Sequence, residues 1–517
     1  MAGAAAVASL AAAAAEWLSR HDESLLLLLR RRWRSVDGAA VLVSLWDAAR
    51  AAAVAPALAA ASWACLALSA MLLADAVFLA AASCIAPRRR RRYLEGPLDG
   101  GGVEQDEEAG CYPMVLVQIP MYNEREVYKL SIGAACGLSW PSDRIIVQVL
   151  DDSTDPTVKD LVELECKFWA NKGKTVKYEV RRNRKGYKAG ALKQGMLYEY
   201  VQQCEFVAVF DADFQPEPDF LLRTVPYLVH NPQIALVQTR WEFVNPNECL
   251  MTRIQKMTLD YHFKVEQEAG SSTFAFFGFN GTAGIWRISS IKEAGGWEDR
   301  TTVEDMDLAV RAGLKGWKFI YVGNIKVKSE LPSNLKAYRR QQHRWTSGAA
   351  NLFRKMGAEI ILTKLTGVIP LSVLIPEVSV PVWGVVYVPT TITLLYAIRS
   401  PSSLHFIPFW ILFENVMSFH RTKATFIGLL ELGSVNEWVV TEKIGDPKST
   451  KPVPQILEKP HCRFWDRCTM SEVLVAIFLF FCATYNLIYG VDFYFIYIYL
   501  QAIAFLIVGT GFCGTFS

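Results

Sequence analysis

From Ala51 to Ala86 the sequence holds a single charged residue, Asp75. A helix rises 1.5 Å per residue and the hydrocarbon core of a bilayer is about 30 Å thick, so roughly 20 apolar residues cross it. The run exceeds that length, and a membrane-crossing helix is the expected outcome. It ends at Pro87 and then at five consecutive arginines, Arg88 to Arg92. Such a run also suits a processing or localisation signal, but directly after a span basic residues mark the cytoplasmic end. The chain beyond these arginines is therefore expected in the cytosol. The whole chain agrees with a mixed soluble and membrane protein: 52% of its residues are hydrophobic and its mean hydropathy is +0.18. A net charge of +3 gives no support to a nucleic-acid partner. The 11 cysteines follow no regular spacing, and His461, Cys462 and Cys468 lack a C-x-x-C pair. Neither a metal cluster nor a disulfide framework is expected from them. Residues 1–50 are Ala-rich and lack a basic segment before the apolar run, so they are read as a flexible leader, not a signal peptide.

Beyond the Gly- and acid-rich linker Gly96 to Gly110, the texture changes. Between residues 112 and 345, short β-branched-rich runs (MVLVQIP, RIIVQVLDD, TVKYEV, EFVAVFDAD, IALVQTR) alternate with helix-like segments such as Glu124–Ala135, Thr157–Ala170 and Tyr187–Val201. Alternation of this kind predicts βαβ units and a mostly parallel sheet covered on both faces. After residue 346 apolar segments return. Val378–Ile398 is long enough to span, Ser403–Phe419 is marginal and carries Glu414, and Val473–Tyr489 with Phe493–Val508 forms a closing hairpin. The expected layout is a leader (1–50), a span (51–87), an α/β domain (112–345), interfacial and membrane segments (346–419), a polar cytosolic loop region (420–471) and a membrane hairpin (472–517).

Open α/β sheets bind ligands beyond the carboxyl ends of their strands. Two acidic clusters fall at such ends, Asp151-Asp152 and Asp211-Ala212-Asp213. In extended chain Asp211 and Asp213 point to one side and repel unless a cation lies between them. Mg²⁺ or Mn²⁺ suits two hard carboxylates and completes its shell with phosphate oxygens. A third cluster, Thr302-Val303-Glu304-Asp305, reads as a helix start and equally as a rigid mount for a general base. A fourth, Gln341-Gln342-His343-Arg344-Trp345, ends a basic helix. It suits a membrane interface, and equally a phosphate contact from Arg344 and a sugar-stacking face from Trp345.

Taken in order, D-D-S, D-A-D, T-V-E-D and Q-x-x-R-W between membrane spans resemble the processive family 2 glycosyltransferases. The stretches QIPMYNE, GLSWPSDRIIVQVLDDSTDP, NRKGYKAGALKQGM, FDADFQPEPDFL and FAFFGFNGTAG resemble the cellulose synthase-like A proteins of plants. The resemblance runs from about Tyr112 to Gly490. It implies a GT-A fold, Rossmann-like, inserted between transmembrane helices in a Golgi membrane, with the catalytic domain cytosolic. It implies inverting transfer from GDP-mannose and GDP-glucose onto a growing β-1,4-mannan or glucomannan chain, a divalent cation (Mn²⁺ or Mg²⁺) on Asp211 and Asp213, and Asp305 as the base. Asp151 and Asp152 would meet the nucleotide, with Asp151 counted beside Asp305 as catalytic and the division of contacts between the pair left open. Lys188, Glu304, Gln341, Arg344 and Trp345 would line the substrate site. Phe279 and Asn280 would belong to an acceptor-binding turn, and Trp438, Thr441 and Lys443 to a loop closing over the nucleotide. Further copies of the chain, or other wall-polysaccharide synthesis proteins, are the partners such an enzyme would have.

The chain departs from this pattern after Q-x-x-R-W. A full-length span is expected before Val378, yet only Leu365 to Ile375 runs without a charge between Lys364 and Glu377. At 1.5 Å per residue that run is too short for a ~30 Å core. Two alternatives stay open at this point: a β-1,4-glucan synthase using UDP-glucose, of the cellulose synthase-like C type, and an inactive membrane scaffold. A glycosidase with paired carboxylates fits poorly with D-x-D at a strand end.

Overall fold

Ile145–Asp151 is buried at all of its positions, as a β-branched run covered on both faces must be. It pairs in parallel with Val115–Met121 on one side and Val176–Val180 on the other. The structure is a computed structural model. It describes residues 38–90, 112–181, 183–356, 374–375, 377–378, 381, 383–397, 405–430, 468–490 and 493–513.

The strands are β1 (Val115–Met121), β2 (Ile145–Asp151), β3 (Val176–Val180), β4 (Phe206–Val209), β5 (Gln215–Pro216), β6 (Ile234–Phe243), β7 (Gly284–Arg287) and β8 (Lys318–Ser329). They form one sheet in the order β3-β2-β1-β4-β7-β6-β8-β5. β1 to β4 are mutually parallel, and so are β6 and β8. β7 runs antiparallel to both of its neighbours, and β5 to β8. The sheet is thus mixed with a parallel majority, as the alternation of elements predicts. The five expected strands all form, and β5, β7 and β8 are additional to them. The chain order turns back at β1, between β2 and β4, and a ligand crevice opens beyond the carboxyl ends of strands at such a reversal. Each face of the sheet carries its own apolar core, one around Val117, Phe206 and Ile285, the other around Leu116, Trp286 and Phe319.

The helices start for local reasons. Pro156–Asn171 has Pro156 in its first turn and an N-cap, Asp155, whose side chain accepts from the Thr157 amide at 2.9 Å. Glu304–Leu314 has no side-chain cap. It collects Glu304, Asp305 and Asp307 in its first turn, where the helix dipole favours negative charge. Asp307 is fully buried between Arg300 and Arg311.

Helical structure long and apolar enough to cross a membrane covers Ala40–Ala86 and Met470–Tyr489. Tyr494–Gly509 packs back on the latter. Leu474, Ile477 and Phe481 are about 60% exposed along one side of Met470–Tyr489, a face suited to lipid. The helix Ile407–Leu430 runs on past Phe419, where a polar loop region had been expected to begin at residue 420. Trp410, Phe413, Met417, Ala424 and Gly428 keep one buried face through the polar stretch, and Arg421 reaches back two turns to Glu414. The expected short span around residues 365–375 and the loop carrying Trp438, Thr441 and Lys443 lie outside the described residues, Leu374 and Ile375 excepted.

Candidate functional site

A cleft opens beyond the carboxyl ends of β1 and β4, lined by Tyr122, Asp152, Lys188, Asp211, Asp213, Asn280, Gly281, Glu304, Asp305, Gln341, Arg344 and Trp345. Four separate sequence clusters therefore meet in one place, and the chemistry comes from how each is held there.

Asp211 lies two residues past β4. Its amide donates to the Thr282 hydroxyl at 2.9 Å, which ties the D-A-D turn to the segment entering β7. Asp213 accepts from the Ser329 hydroxyl at 3.3 Å, at the end of β8. Lys188 arrives from the opposite side on the helix Tyr187–Gly195. That helix starts after Gly186, whose φ of +72° requires glycine; a Cβ there would also stand 2.6 Å from the Cβ of Asp299. The Lys188 ammonium sits 2.5 Å from Asp211 Oδ1 and 3.8 Å from Glu304 Oε1, and it donates to the Gly281 carbonyl at 3.0 Å. Burial pulls its pKa down, and Asp211 and Glu304 more than reverse the effect, so it stays charged.

Glu304 is buried, and burial drives its pKa up to about 7. The Lys188 ammonium opposes that rise and the neighbouring Asp305 carboxylate reinforces it. Burial also raises Asp305, against the pull of Lys188, the Met306 amide and Arg344. Arg344 faces Asp211, Glu304, Asp305 and Asp213 from the helix Leu335–Met356. This helix seats closely on the T-V-E-D turn: a Cβ on Gly348 would come within 2.5 Å of Thr302 Oγ1. Four carboxylates thus face two cations, and the local excess of negative charge suits a divalent cation bound with an anionic substrate.

Two expected site residues do not reach the cleft. Asp151 is buried under the loop, with Oδ1 accepting from the Ser153 amide at 2.8 Å and Oδ2 from the Tyr178 hydroxyl at 2.8 Å. Successive side chains of a strand point to opposite faces, so only one aspartate of the pair can face the cleft. That one is Asp152, held by the Arg181 guanidinium, whose Nε donates to Oδ1 at 2.8 Å and whose Nη2 pairs with Oδ2. Phe279 likewise turns inward, packing edge-on against Trp286 at 5.5 Å, while Asn280 beside it lines the cleft. The cleft also includes residues that the sequence motifs do not single out. The Arg184 guanidinium lies 3.3 Å from the centre of the Tyr122 ring and 4.9 Å from that of Tyr187, and Trp241 and Glu330 also line the cleft. No spacing rule marks such a stack, since it joins the turn after β1 to the turn Arg184–Tyr187.

The family model described as Glycosyl transferase family 2 matches residues 116–283, and Glycosyl transferase family group 2 matches residues 206–419. "Probable glucomannan 4-beta-mannosyltransferase 3" of Oryza sativa subsp. japonica is 73% identical, covering 100% of this chain and 99% of its own. "Glucomannan 4-beta-mannosyltransferase 9" of Arabidopsis thaliana is 57% identical, covering 91% of this chain and 94% of its own. The alignment to the rice protein runs over 553 positions, 36 more than the 517 residues here, so that relative has internal residues this chain lacks. Among solved structures, the mannosyltransferase PcManGT of Pyrobaculum calidifontis, in complex with GDP-Man and Mn²⁺, is 18% identical, covers 71% of this chain and 99% of its own, and has a TM-score of 0.43. With a GT-A type sheet, the glycosyltransferase motifs gathered at its switch point and such identity along the whole length, the chain belongs to the plant glucomannan 4-beta-mannosyltransferases, within the inverting family 2 glycosyltransferases.

Proposed function

We propose that the chain polymerises a β-1,4-mannan or glucomannan backbone by inverting transfer from GDP-mannose, with GDP-glucose as a second donor. The observation that carries this reading is the convergence of Asp211, Asp213, Lys188, Glu304, Asp305 and Arg344 on one cleft, in a chain whose relatives are named as mannosyltransferases.

The acceptor hydroxyl attacks carbon 1 of the donor sugar as the bond from carbon 1 to the diphosphate oxygen breaks. The proton passes to Asp305, and the electron pair leaves with GDP. Asp305 suits the base because its helix start fixes it and burial raises its affinity for a proton. Glu304, with a pKa of about 7, shares the local proton balance with it. Arg344 faces the place where charge collects on the leaving diphosphate, and Trp345 offers a sugar a stacking face. Asp211 and Asp213 both line the cleft, the first tied through its backbone amide to Thr282 and the second through its carboxylate to Ser329; two such hard carboxylates fit a divalent cation and would hold it. Such an ion would neutralise the diphosphate. Trp438, Thr441 and Lys443 would close over the nucleotide. The arginines after the first apolar helix favour a cytosolic catalytic domain, and a Golgi membrane is the location the family resemblance implies.

The test is incorporation of radiolabel by membranes containing the full chain. GDP-mannose is expected to yield polymer that an endo-β-mannanase degrades, with none from UDP-glucose. Polymer from UDP-glucose alone would replace this reading with the glucan synthase.

A further inference from the structure

Asn280 lines the cleft, yet its orientation is set by residues outside it. Between the helices Leu250–Tyr261 and Glu268–Thr273 the backbone widens into a π-helical segment, His262–Gln267. Such widenings occur frequently at functional sites, because they turn side chains out of the regular helical register. Here the segment aims two side chains at Asn280. The Gln267 amide nitrogen donates to the Gly278 carbonyl at 3.0 Å and to Asn280 Oδ1 at 3.1 Å. The backbone carbonyl leaves no choice about which end of Gln267 faces it, so the Asn280 atom opposite is the oxygen. His262 Nε2 meets the same Oδ1 at 3.0 Å, while its Nδ1 meets Glu266 Oε2 at 2.6 Å. His262 Nε2 also lies 3.3 Å from the Gln267 amide nitrogen, whose two hydrogens go to the Gly278 carbonyl and Asn280 Oδ1, so both ring nitrogens are left to donate, as in the charged imidazole. Burial opposes that charge, and Glu266 more than offsets burial, so the His262 pKa lies above its ordinary value. Asp75 of the N-terminal apolar helix lies near enough to Glu266 for the two carboxylates to repel.

With Oδ1 occupied twice, the Asn280 Nδ2 carries two N–H donors, and that atom is buried with no partner among the described residues. A buried donor left unpaired destabilises the site, and a ligand acceptor would recover that loss. The next residue fixes where such a ligand lies. Gly281 sits against the carboxylate of Asp305, since a Cβ there would be 2.7 Å from Asp305 Oδ2. Asn280 and Asp305 line the same cleft, so an acceptor sugar bound there meets both residues.

We propose that His262 and Glu266 are positioning residues that hold the Asn280 amide with its N–H donors presented to a hydroxyl of the acceptor sugar. This rests on the polymerase reading above and adds which residues orient the acceptor. His262→Ala in the full-length protein, in nanodiscs with GDP-mannose and a soluble β-1,4-manno-oligosaccharide, is expected to raise the acceptor KM about tenfold and leave the donor KM within twofold. His262→Gln, whose amide can restore the donor to Oδ1, is expected to recover most of the loss. In an Asn280→Ala background, His262→Ala should change the acceptor KM by less than twofold, because the group it acts through is gone. Additive losses in the double variant, a parallel rise in both KM values, or no change in His262→Ala would each overturn the assignment. Failure of the polymerase reading is distinguishable, since the unaltered protein would then transfer no mannose at all.

Discussion

Gly281→Ala separates the geometry of the base from the stability of the fold. Gly281 has a φ of +78°, a conformation that costs an L-residue roughly 1–2 kcal/mol. A domain with about 5–15 kcal/mol of stability survives such a loss. The added Cβ would stand 2.7 Å from Asp305 Oδ2 and 3.4 Å from Lys188 Nζ, against about 3.4 Å for ordinary contact, so the carboxylate must retreat by about 0.7 Å. Retreat is energetically cheap, because Oδ2 is the free end of a side chain. It is costly for the reaction, because a misplacement of about 1 Å can lower a rate on the order of 100-fold. The expected result is a fall in kcat of about 10- to 100-fold with only a few degrees lost in melting temperature. GDP release from GDP-mannose gives kcat, and intrinsic fluorescence in detergent gives the melt. Gly278→Ala is the control, since a Cβ there meets nothing within 4 Å. Retention of more than half of kcat in Gly281→Ala, or equal damage from Gly278→Ala, would refute the placement of Asp305 against this turn.

Asp305→Asn keeps the shape and loses the proton acceptor, so polymer synthesis is expected to fall about 100- to 10,000-fold while calorimetry shows GDP still bound; near-normal synthesis would remove Asp305 from the mechanism. Asp211→Ala and Asp213→Ala are expected to weaken donor binding, and chelation of the unaltered protein should mimic them until Mn²⁺ or Mg²⁺ is restored. Full activity after exhaustive chelation would exclude a cation at this pair. Activity requires the base deprotonated, so with the Asp305 pKa raised the rate should fall as pH drops through a value above the ordinary carboxylate range. Lys188→Met removes a cation that lowers both Glu304 and Asp305, so the acidic limb of the pH profile should move to higher pH. An unmoved limb would mean that Lys188 and the base are not coupled.

Much of this site was legible because its acidic members sit at strand ends or a helix start, and those positions leave marks in sequence. EFVAVFDAD announces both the strand and the carboxylates beyond it, and T-V-E-D announces a helix start whichever role it plays. Choosing between neighbours was harder. Asp151 and Asp152, or Phe279 and Asn280, are adjacent in the chain, and only the pleat and the packing of Trp286 decide which one turns inward. β7 was missed because Gly284–Arg287 is four residues long and holds its place by antiparallel pairing on both sides, not by a pattern of its own. The π-helical turn at His262 has no sequence signature at all, since one added residue in a helical turn leaves the composition unchanged.

The alignment to the rice relative runs 36 positions beyond the 517 residues here, and we propose that a lost stretch lies after Q-x-x-R-W, where only Leu365 to Ile375 runs without a charge. The catalytic helix Leu335–Met356 and the loop with Trp438 must share one side of the membrane if the loop is to reach the nucleotide, so the crossings between them must be even in number. The helix Ile407–Leu430 shows how this chain could meet that condition. Its polar half lies against the catalytic helix, with Arg421 donating to Gln342 at 3.2 Å and His420 Nε2 3.1 Å from the Arg339 carbonyl. Its apolar half, around Trp410, Phe413 and Val416, packs with the closing hairpin. At 1.5 Å per residue its 24 residues reach about 36 Å, long enough to cross but, with Arg421 and Lys423 in its polar half, less apolar than the two described helices that qualify as spans. The cost is Glu414, which pairs with Arg421 through Oε2 while Oε1 is buried without a partner among the described residues. A carboxylate at the bilayer centre costs roughly 2.5–3.5 kcal/mol or more, offset only in part by that pair. A full-length span before Val378 would supply the missing crossing and let Glu414 return to the headgroup region. We therefore expect insertion of an apolar segment of about ten residues after Leu362 to raise both the melting temperature in nanodiscs and the polymer made per protein. If the chain without the insert already equals the repaired one in both measurements, then Ile407–Leu430 is no makeshift crossing and the short run at 365–375 is no defect.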